Sequence, residues 1–307
     1  MKNDGSPSRL VIDTNSTEDD TKAVQKGLVD YNKTHPGGDL DIPTPDISLV
    51  LKEKDSTVVG GVITSMLTGV MHLEVLWVDD KHRRQGYGRD LVLRAEEIGK
   101  AKGYKTSQTW TFSFQAPDFY QSIGYEVLGV FDGYVDGITE YVLMKRLKKD
   151  HKTSSGDSSV RGNAGSDRLE IFEDATDESM RVVRKGLGEY FSEHVGELQK
   201  QNPEVKIRLA LKNDKGRVLG GIAAATVLGT MAIEHLWVDE RYRGQGYGRD
   251  LLLAAERIAR ENGCISGQTW VLSFQAHEFF RKLGYEEFGV SDGYPNGIRE
   301  FYFIKKF

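Results

Sequence analysis

Arg83-Arg84-Gln85-Gly86-Tyr87-Gly88-Arg89-Asp90-Leu91 decides how this chain is read, because it returns 160 residues later as Arg243-Gly244-Gln245-Gly246-Tyr247-Gly248-Arg249-Asp250-Leu251. In each place the preceding segment, HLEVLWVDD (72–80) or AIEHLWVDE (232–240), has the composition of a strand. The following segment in the first copy, YGRDLVLRAEEIGKAKG, spaces its apolar residues like an amphipathic helix. That helix is expected to end at Gly103, with Lys100 and Lys102 in its last turn, where cations suit the helix dipole. Glycines between a strand and a helix let successive backbone N–H groups converge, and the helix adds its positive end. Together they make a site for phosphate or pyrophosphate. The nucleotide P-loop needs Gly-Lys-Ser/Thr after a longer loop. The dinucleotide fingerprint needs a third glycine and an acidic residue about 20 positions on. Neither is present.

The repetition extends outward from this loop. QTWTFSFQAPDFYQSIGYE (108–126) recurs as QTWVLSFQAHEFFRKLGYE (268–286), and about half of the residues in 70–147 are identical to their partners in 230–307. Upstream, RLVIDTNSTEDDTKAVQKGLVDYNKTH (9–35) faces RLEIFEDATDESMRVVRKGLGEYFSEH (168–194). The polar stretch 148–167, with its Gly and Ser and no apolar periodicity, reads as a flexible connector. The expectation is therefore two domains, 9–147 and 168–307, joined by 148–167. Within each, short strands alternate with helices, and ISLVLKE with TVVGGVITSML reads as a pair of antiparallel strands. The class is α+β, a mixed, mostly antiparallel sheet flanked by helices.

Composition narrows the function classes. With 38% hydrophobic and 28% charged residues in 307, the chain has the make-up of a folded globular protein. A formal net charge of −5 argues against nucleic acid as the partner. The single cysteine, Cys264, allows no intramolecular disulfide and fits a reducing, cytoplasmic setting; its counterpart is Tyr104, which points to packing rather than catalysis. MKNDGSPSRL lacks the apolar run of a signal peptide, and no stretch of about 18 apolar residues occurs, so no membrane partner is expected.

At this point the chain resembles the GNAT acyltransferase superfamily. That family's loop, Arg/Gln-x-x-Gly-x-Gly/Ala after the fourth strand, is matched by Arg83-x-x-Gly86-x-Gly88 and Arg243-x-x-Gly246-x-Gly248. Its later signature, Ala-x-x-Phe/Leu-Tyr-x-x-x-Gly-Phe/Tyr, is matched around Tyr120 and, with a phenylalanine in place of the tyrosine, around Phe280. The resemblance implies acetyl-CoA as cofactor, with its pyrophosphate held by Arg83, Arg84, Gln85, Gly86, Tyr87, Gly88 and Arg89. The second set is Arg243, Gly244, Gln245, Gly246, Tyr247, Gly248 and Arg249. It further implies a pantetheine arm running as a pseudo-strand beside Leu76, Trp77 and Val78, or Leu236, Trp237 and Val238. It implies no metal. Arg84 departs from the glycine of the second copy, with little effect expected.

Acylating an amine demands the neutral amine, of which only about one part in a thousand exists near pH 7, so a general base matters. Strand alternation places residues 74, 76 and 78 on one face and 73, 75 and 77 on the other. The resemblance implies Glu74 as base, with Glu234 as its match; a carboxylate that only orders the strand is the bland alternative. His72 and His235 are fallback bases. Tyr120 corresponds to the family's general acid, whereas Phe280 cannot donate a proton, so the first copy is expected to be the main catalytic unit. Trp77 and Trp237 read chiefly as packing residues. Tyr31, His35, Tyr190 and His194 stand where the family walls its acceptor site. The expected reaction is direct acetyl transfer to a primary amine of a small molecule, with Asp132, Asp136 and Glu140 suiting a cationic one. Rival readings are a silent acyl-CoA-binding scaffold and a protein-lysine acetyltransferase. The two copies are expected to pack on each other as an internal pseudo-dimer.

Overall fold

A computed structural model describes residues 10–35, 45–147 and 169–307, so the expected connector 148–167 lies outside the described residues. The first half carries β1 (Val11–Asp13), α1 (Glu18–Lys33), β2 (Pro45–Lys52), β3 (Val58–Leu67), β4 (Val70–Val78), α2 (Tyr87–Lys102), β5 (Thr106–Phe112), α3 (Pro117–Ser122), β6 (Glu126–Phe131) and β7 (Glu140–Arg146). The second repeats them as β8 (Glu170–Phe172), α4 (Asp177–Gln201), β9 (Lys206–Lys212), β10 (Val218–Val227), β11 (Thr230–Val238), α5 (Tyr247–Glu261), β12 (Ser266–Leu272), α6 (His277–Lys282), β13 (Glu286–Ser291) and β14 (Glu300–Lys306). The class is α+β, as the sequence indicates. Among the described strands only β4–β5 and β11–β12 pair in parallel; the remaining pairings are antiparallel.

The described strands form one sheet in the order β1-β9-β10-β11-β12-β14-β13-β6-β7-β5-β4-β3-β2-β8. The halves meet in its middle, where β6 pairs with β13 at Gly129 and Gly289. A Cβ on Gly129 would lie 3.0 Å from Cδ2 of Phe288 and 3.1 Å from Cα of Gly289, so the strands approach this closely only because both positions are glycine.

The outer edges cross between halves. β1 of the first half pairs with β9 of the second (Val11 with Lys212), and β8 of the second pairs with β2 of the first (Glu170 with Lys52). The helices follow their strands: α1 packs on β10 and β11, and α4 on β3 and β4. The hydrophobic cores record the same exchange. Leu10 is buried with Leu209, Ile222 and Leu251 of the second half, and Leu169 with Leu49, Val62 and Leu91 of the first. Close packing fixes the helices. A Cβ on Gly61 would stand 2.7 Å from Cγ2 of Val183 on α4, and one on Gly221 would stand 2.5 Å from Cγ2 of Val24 on α1. The repeat along the chain runs 9–147 then 168–307, but in space residues 45–147 with 169–201 enclose one core and residues 10–35 with 206–307 the other.

Candidate active site

Both motif loops sit between strand and helix. Gly86 is the N-cap of α2 at φ 93° and Gly246 the N-cap of α5 at φ 92°, left-handed conformations that glycine adopts without cost. Neither helix start has a side-chain cap, whereas α1 and α4 carry full capping boxes, Thr17 with Asp20 and Thr176 with Ser179. First-turn N–H groups left without a side-chain acceptor are donors available to an anion. A Cβ at Gly86 or Gly246 would meet nothing within 4 Å, so the approach to these amides is open. The loops therefore fit a bound pyrophosphate. Each lead arginine is anchored, with Nε of Arg83 donating to the Val78 carbonyl and Nε of Arg243 to that of Val238, both at 2.8 Å. The expectation of little effect at Arg84 meets a backbone that favours glycine: Arg84 has φ 61° where Gly244 has φ 72°.

Beside each loop the sheet splays. The ladder between β4 and β5 runs from Val70–Thr106 to Leu73–Thr109 and stops, and that between β11 and β12 stops at Ala232–Gln268. Beyond Leu73 and Ala232, β4 and β11 thus present a main-chain edge with no described strand partner on that side, the geometry that an extended arm would join by strand addition.

The splay begins at a β-bulge. Ile63 pairs with Val75 and Thr64 with Leu73, which leaves Glu74 as the extra residue; Glu234 is extra in the same way between Ile233 and His235. The expected facing of residues 76 and 78 against 75 and 77 holds, but the bulge at Glu74 moves Leu73 off the face of Val75 and Trp77. Leu73, Leu76 and Val78 join one core, while Val75 and Trp77 pack on the opposite side with Val183. One unpaired residue slips the alternation by one, and it re-aims the carboxylate.

Glu74 accepts a hydrogen bond from the hydroxyl of Ser65. It lines a cavity of about 560 Å³ between the halves, together with His72, Glu234, Glu300, Trp110 and Trp270. Desolvation pushes the His72 imidazole down to about 4 and holds His235 below the usual histidine range, so both rings are neutral at pH 7. Glu300 comes from the second half. Its carboxylate accepts from Nε2 of Gln108 at 2.8 Å, from Tyr294 OH at 3.0 Å and from Tyr302 OH, and burial raises its carboxyl pKa. Of the acidic residues expected to suit a cation, Asp132 is paired with Lys306 at 2.8 Å and Glu140 is buried, accepting from Tyr134 OH at 2.8 Å. Neither they nor Asp136 is among the residues lining this cavity.

A second cleft of about 500 Å³ follows the Arg243–Gly248 loop and is walled by Leu28, Tyr31, Glu234, Trp270, Phe279 and Phe280. It shares Leu28, Glu234, Trp270 and Gln275 with the first cavity. Tyr120, the first-half equivalent of Phe280, is buried between Phe119 and Tyr125. Desolvation raises its phenol to about 12, against the pull of a hydrogen bond with Thr109, so its proton stays on at neutral pH.

The sequence matches the acetyltransferase (GNAT) family twice, over residues 18–125 and 169–285. The chain belongs to that family. Among its relatives it is 38% identical over 89 residues to blasticidin-S acetyltransferase of Streptomyces morookaense, an alignment covering 29% of this chain and 65% of that protein. The chain thus spans just under two thirds of that relative. It is 30% identical over 120 residues to an acetyltransferase of Agrobacterium fabrum, covering 39% of this chain and 85% of the relative. Among solved structures, an acetyltransferase from Bacillus cereus ATCC 14579 shares 33% identity over 44% of this chain and 96% of its own, at a TM-score of 0.37.

Within this GNAT chain, Tyr31 and Tyr190 do stand at motif loops, but at those of the opposite halves. The Arg243 guanidinium lies 4.4 Å from the centre of the Tyr31 ring, and that of Arg83 lies 4.7 Å from the centre of Tyr190. His35 and His194 stack on Phe274 and Phe114. Three sets of residues escape sequence reading. Ser65 leaves no signal, because its counterpart is Ala225. Gln108 and Glu300 carry a usable one, since both recur in the repeat as Gln268 and Glu140. Gly27 and Gly186, glycines inside helices of both copies, seat the rings of Trp237 and Trp77.

Proposed function

We propose that the chain transfers an acetyl group from acetyl-CoA to a primary amine of a cationic small molecule by direct attack in a ternary complex, chiefly at the first-half centre. The observation that carries this reading is the arrangement on β4: a bulged carboxylate, Glu74, held by Ser65 at the point where β4 parts from β5, on the strand that leads to the uncapped N-terminus of α2. When bound, acetyl-CoA supplies the activated thioester carbonyl. The loop amides from Gly86 onward and Arg83 hold its pyrophosphate, and the free edge of Leu76–Val78 aligns its arm. The amine arrives protonated, and Glu74 takes one proton first, which frees the lone pair that attacks the carbonyl carbon. The second proton, lost by nitrogen once the C–N bond has formed, returns to Tyr120 after its phenol has protonated the sulfur. Tyr120, still protonated, donates to the sulfur as the C–S bond breaks. N–H groups of the unpaired β4 edge stabilise the oxygen that gains charge.

The acceptor class follows from the cavity. It is lined by Glu74, Glu234 and Glu300 and by neutral histidines, and no lysine or arginine is among its described lining residues. Trp110 and Trp270 add aromatic faces for a cation. The position of the cavity between the two halves supports a small molecule as acceptor over a protein lysine.

The second-half centre supports a different reading, cofactor binding with little turnover. Ala225, Ala232 and Phe280 replace Ser65, His72 and Tyr120 there, which removes the carboxylate's hydrogen-bond partner and the acid. The shared sheet and crossed helices support an internal dimer of the two halves.

Turnover over a panel of amines, followed by CoA release, tests the proposal. Glu74→Gln and Tyr120→Phe are each expected to lower kcat by about 10²–10⁴-fold, the usual worth of a positioned acid or base. Undiminished turnover in both variants defeats it.

A further inference from the structure

The tyrosines on the crossed helices do more than wall a site. Tyr190 on α4 lies under the guanidinium of Arg83, just after β4, and its hydroxyl donates to the carbonyl of Phe114, just after β5, at 2.9 Å. β4 and β5 are the strands that splay, so this one side chain spans the opening between them. Tyr31 on α1 repeats the arrangement in the other half. Its ring lies under Arg243 after β11, its hydroxyl donates to the carbonyl of Phe274 after β12 at 3.2 Å, and it lines the cleft of the Arg243–Gly248 loop. Among the described residues, the lead arginine has no other aromatic support in either half. Arg83 also pairs with Asp80 at 2.6 Å, but the described ion pairs include no equivalent for Arg243, which leans on Tyr31 and the Val238 carbonyl.

We propose that Tyr31 and Tyr190 are positioning residues for acyl-CoA, each serving the motif loop of the opposite half, so that neither copy of the sequence repeat contains a complete cofactor site. Each tyrosine fixes the arginine at the head of its loop and sets the spacing of the two lips between which the cofactor arm passes. The inference rests on the acetyl-CoA reading above. It adds that the first-half centre is completed by residues 177–201 and the second-half centre by residues 18–33.

The test is calorimetric titration of the full-length chain with acetyl-CoA, using loop variants to isolate one site at a time. Gly246→Val leaves only the first-half loop and Gly86→Val only the second, because valine cannot hold the left-handed conformation at either position. In the Gly246→Val chain, Tyr190→Leu is expected to weaken binding about tenfold, the size that a lost cation–π contact and a lost neutral hydrogen bond together imply. In the Gly86→Val chain, Tyr31→Leu is expected to weaken it by a similar factor. Tyr190→Phe and Tyr31→Phe keep the ring under the arginine and lose only the hydrogen bond, so they are expected to weaken binding about threefold, between the unmodified chain and leucine. If a valine variant does not fold, Arg243→Ala or Arg83→Ala isolates the other loop. The reverse pattern, with Tyr31→Leu weakening the Gly86 loop and Tyr190→Leu the Gly246 loop, is what self-contained repeats require, and it overturns the inference. So does the absence of weakening from either leucine. No heat with the unmodified chain instead sinks the acetyl-CoA reading itself, and the two failures are thereby told apart.

Discussion

Gly186, buried in the middle of α4, gives a sharp test of how the crossed helices pack. A Cβ built there would stand 2.5 Å from both Cδ2 and Cζ2 of Trp77, far inside van der Waals contact, so alanine forces the indole or the helix to move. Gly188 and Gly196 lie on the same helix, and a Cβ at either meets nothing within 4 Å. Glycine inside a helix costs about 1 kcal/mol relative to alanine. Gly188→Ala and Gly196→Ala are therefore expected to stabilise the protein by up to about 1 kcal/mol each. Gly186→Ala gains the same helix propensity but carries an overpacking cost of about 1–3 kcal/mol or more, because the ring sits between the helix and the sheet. Its net effect is about 0–2 kcal/mol of destabilisation, which leaves it about 1–3 kcal/mol below its two neighbours. Urea unfolding of the three single variants, followed by far-UV circular dichroism, measures the difference. If Gly186→Ala stabilises as much as Gly188→Ala, then α4 does not lie on Trp77, and the close packing of helix on sheet is refuted.

Arg84→Gly is expected to raise stability by about 1 kcal/mol, since a non-glycine residue in the left-handed region carries roughly that strain; a thermal melt that falls would contradict the assigned conformation. His72, titrating near 4 in the folded chain against 6.5 when unfolded, binds its proton more readily in the unfolded state. Its contribution is present above pH 6.5 and lost as pH falls toward 4. His72→Gln is therefore expected to flatten the stability–pH curve over that interval by up to about 3 kcal/mol, and identical pH slopes in the two proteins would contradict the burial. Phe191 of α4 meets Phe112 and Phe114 with ring centres 5.5 Å apart. A double-mutant cycle of Phe112→Leu with Phe191→Leu should show a coupling of about 1 kcal/mol, and additive losses would deny the contact.

The motif loops were legible because glycine at a left-handed N-cap leaves an unmistakable mark, and because the chain prints it twice. The strand and helix types followed from periodicity in the same way. The bulges at Glu74 and Glu234 were not legible, since nothing in HLEVLWVDD says which residue its neighbour strand will skip. Register is a property of the pair, and one slipped residue was enough to move Leu73 to the face of Leu76 and Val78. The acceptor carboxylates were hidden for a related reason. Glu300 lies 226 positions from Glu74, and only the junction of the two halves brings both to one cavity.

The crossing of the helices escaped for a deeper reason. Val24 and Val183, Gly27 and Gly186, Tyr31 and Tyr190, and Leu10 and Leu169 are equivalent residues in the two copies, so each helix carries what either core requires. Hydrophobic pattern cannot choose between cores that accept the same pattern. Contacts where both partners are the same in the two copies contribute equally to a crossed or an uncrossed chain; only contacts where the copies differ can favour one. Two examples lie among the described residues. Arg94 pairs with Glu173, whereas in the uncrossed arrangement Arg94 would face Thr14 and Glu173 would face Ala254. Phe191 meets Phe112, where the uncrossed partner would be Leu272. The ion pair is exposed and worth at most about 1 kcal/mol, and the ring contact about the same. A preference of that size between two nearly equivalent packings is enough to populate one about tenfold or more over the other. Divergence at a few positions after duplication thus suffices to turn two self-contained folds into one whose sites each depend on both halves.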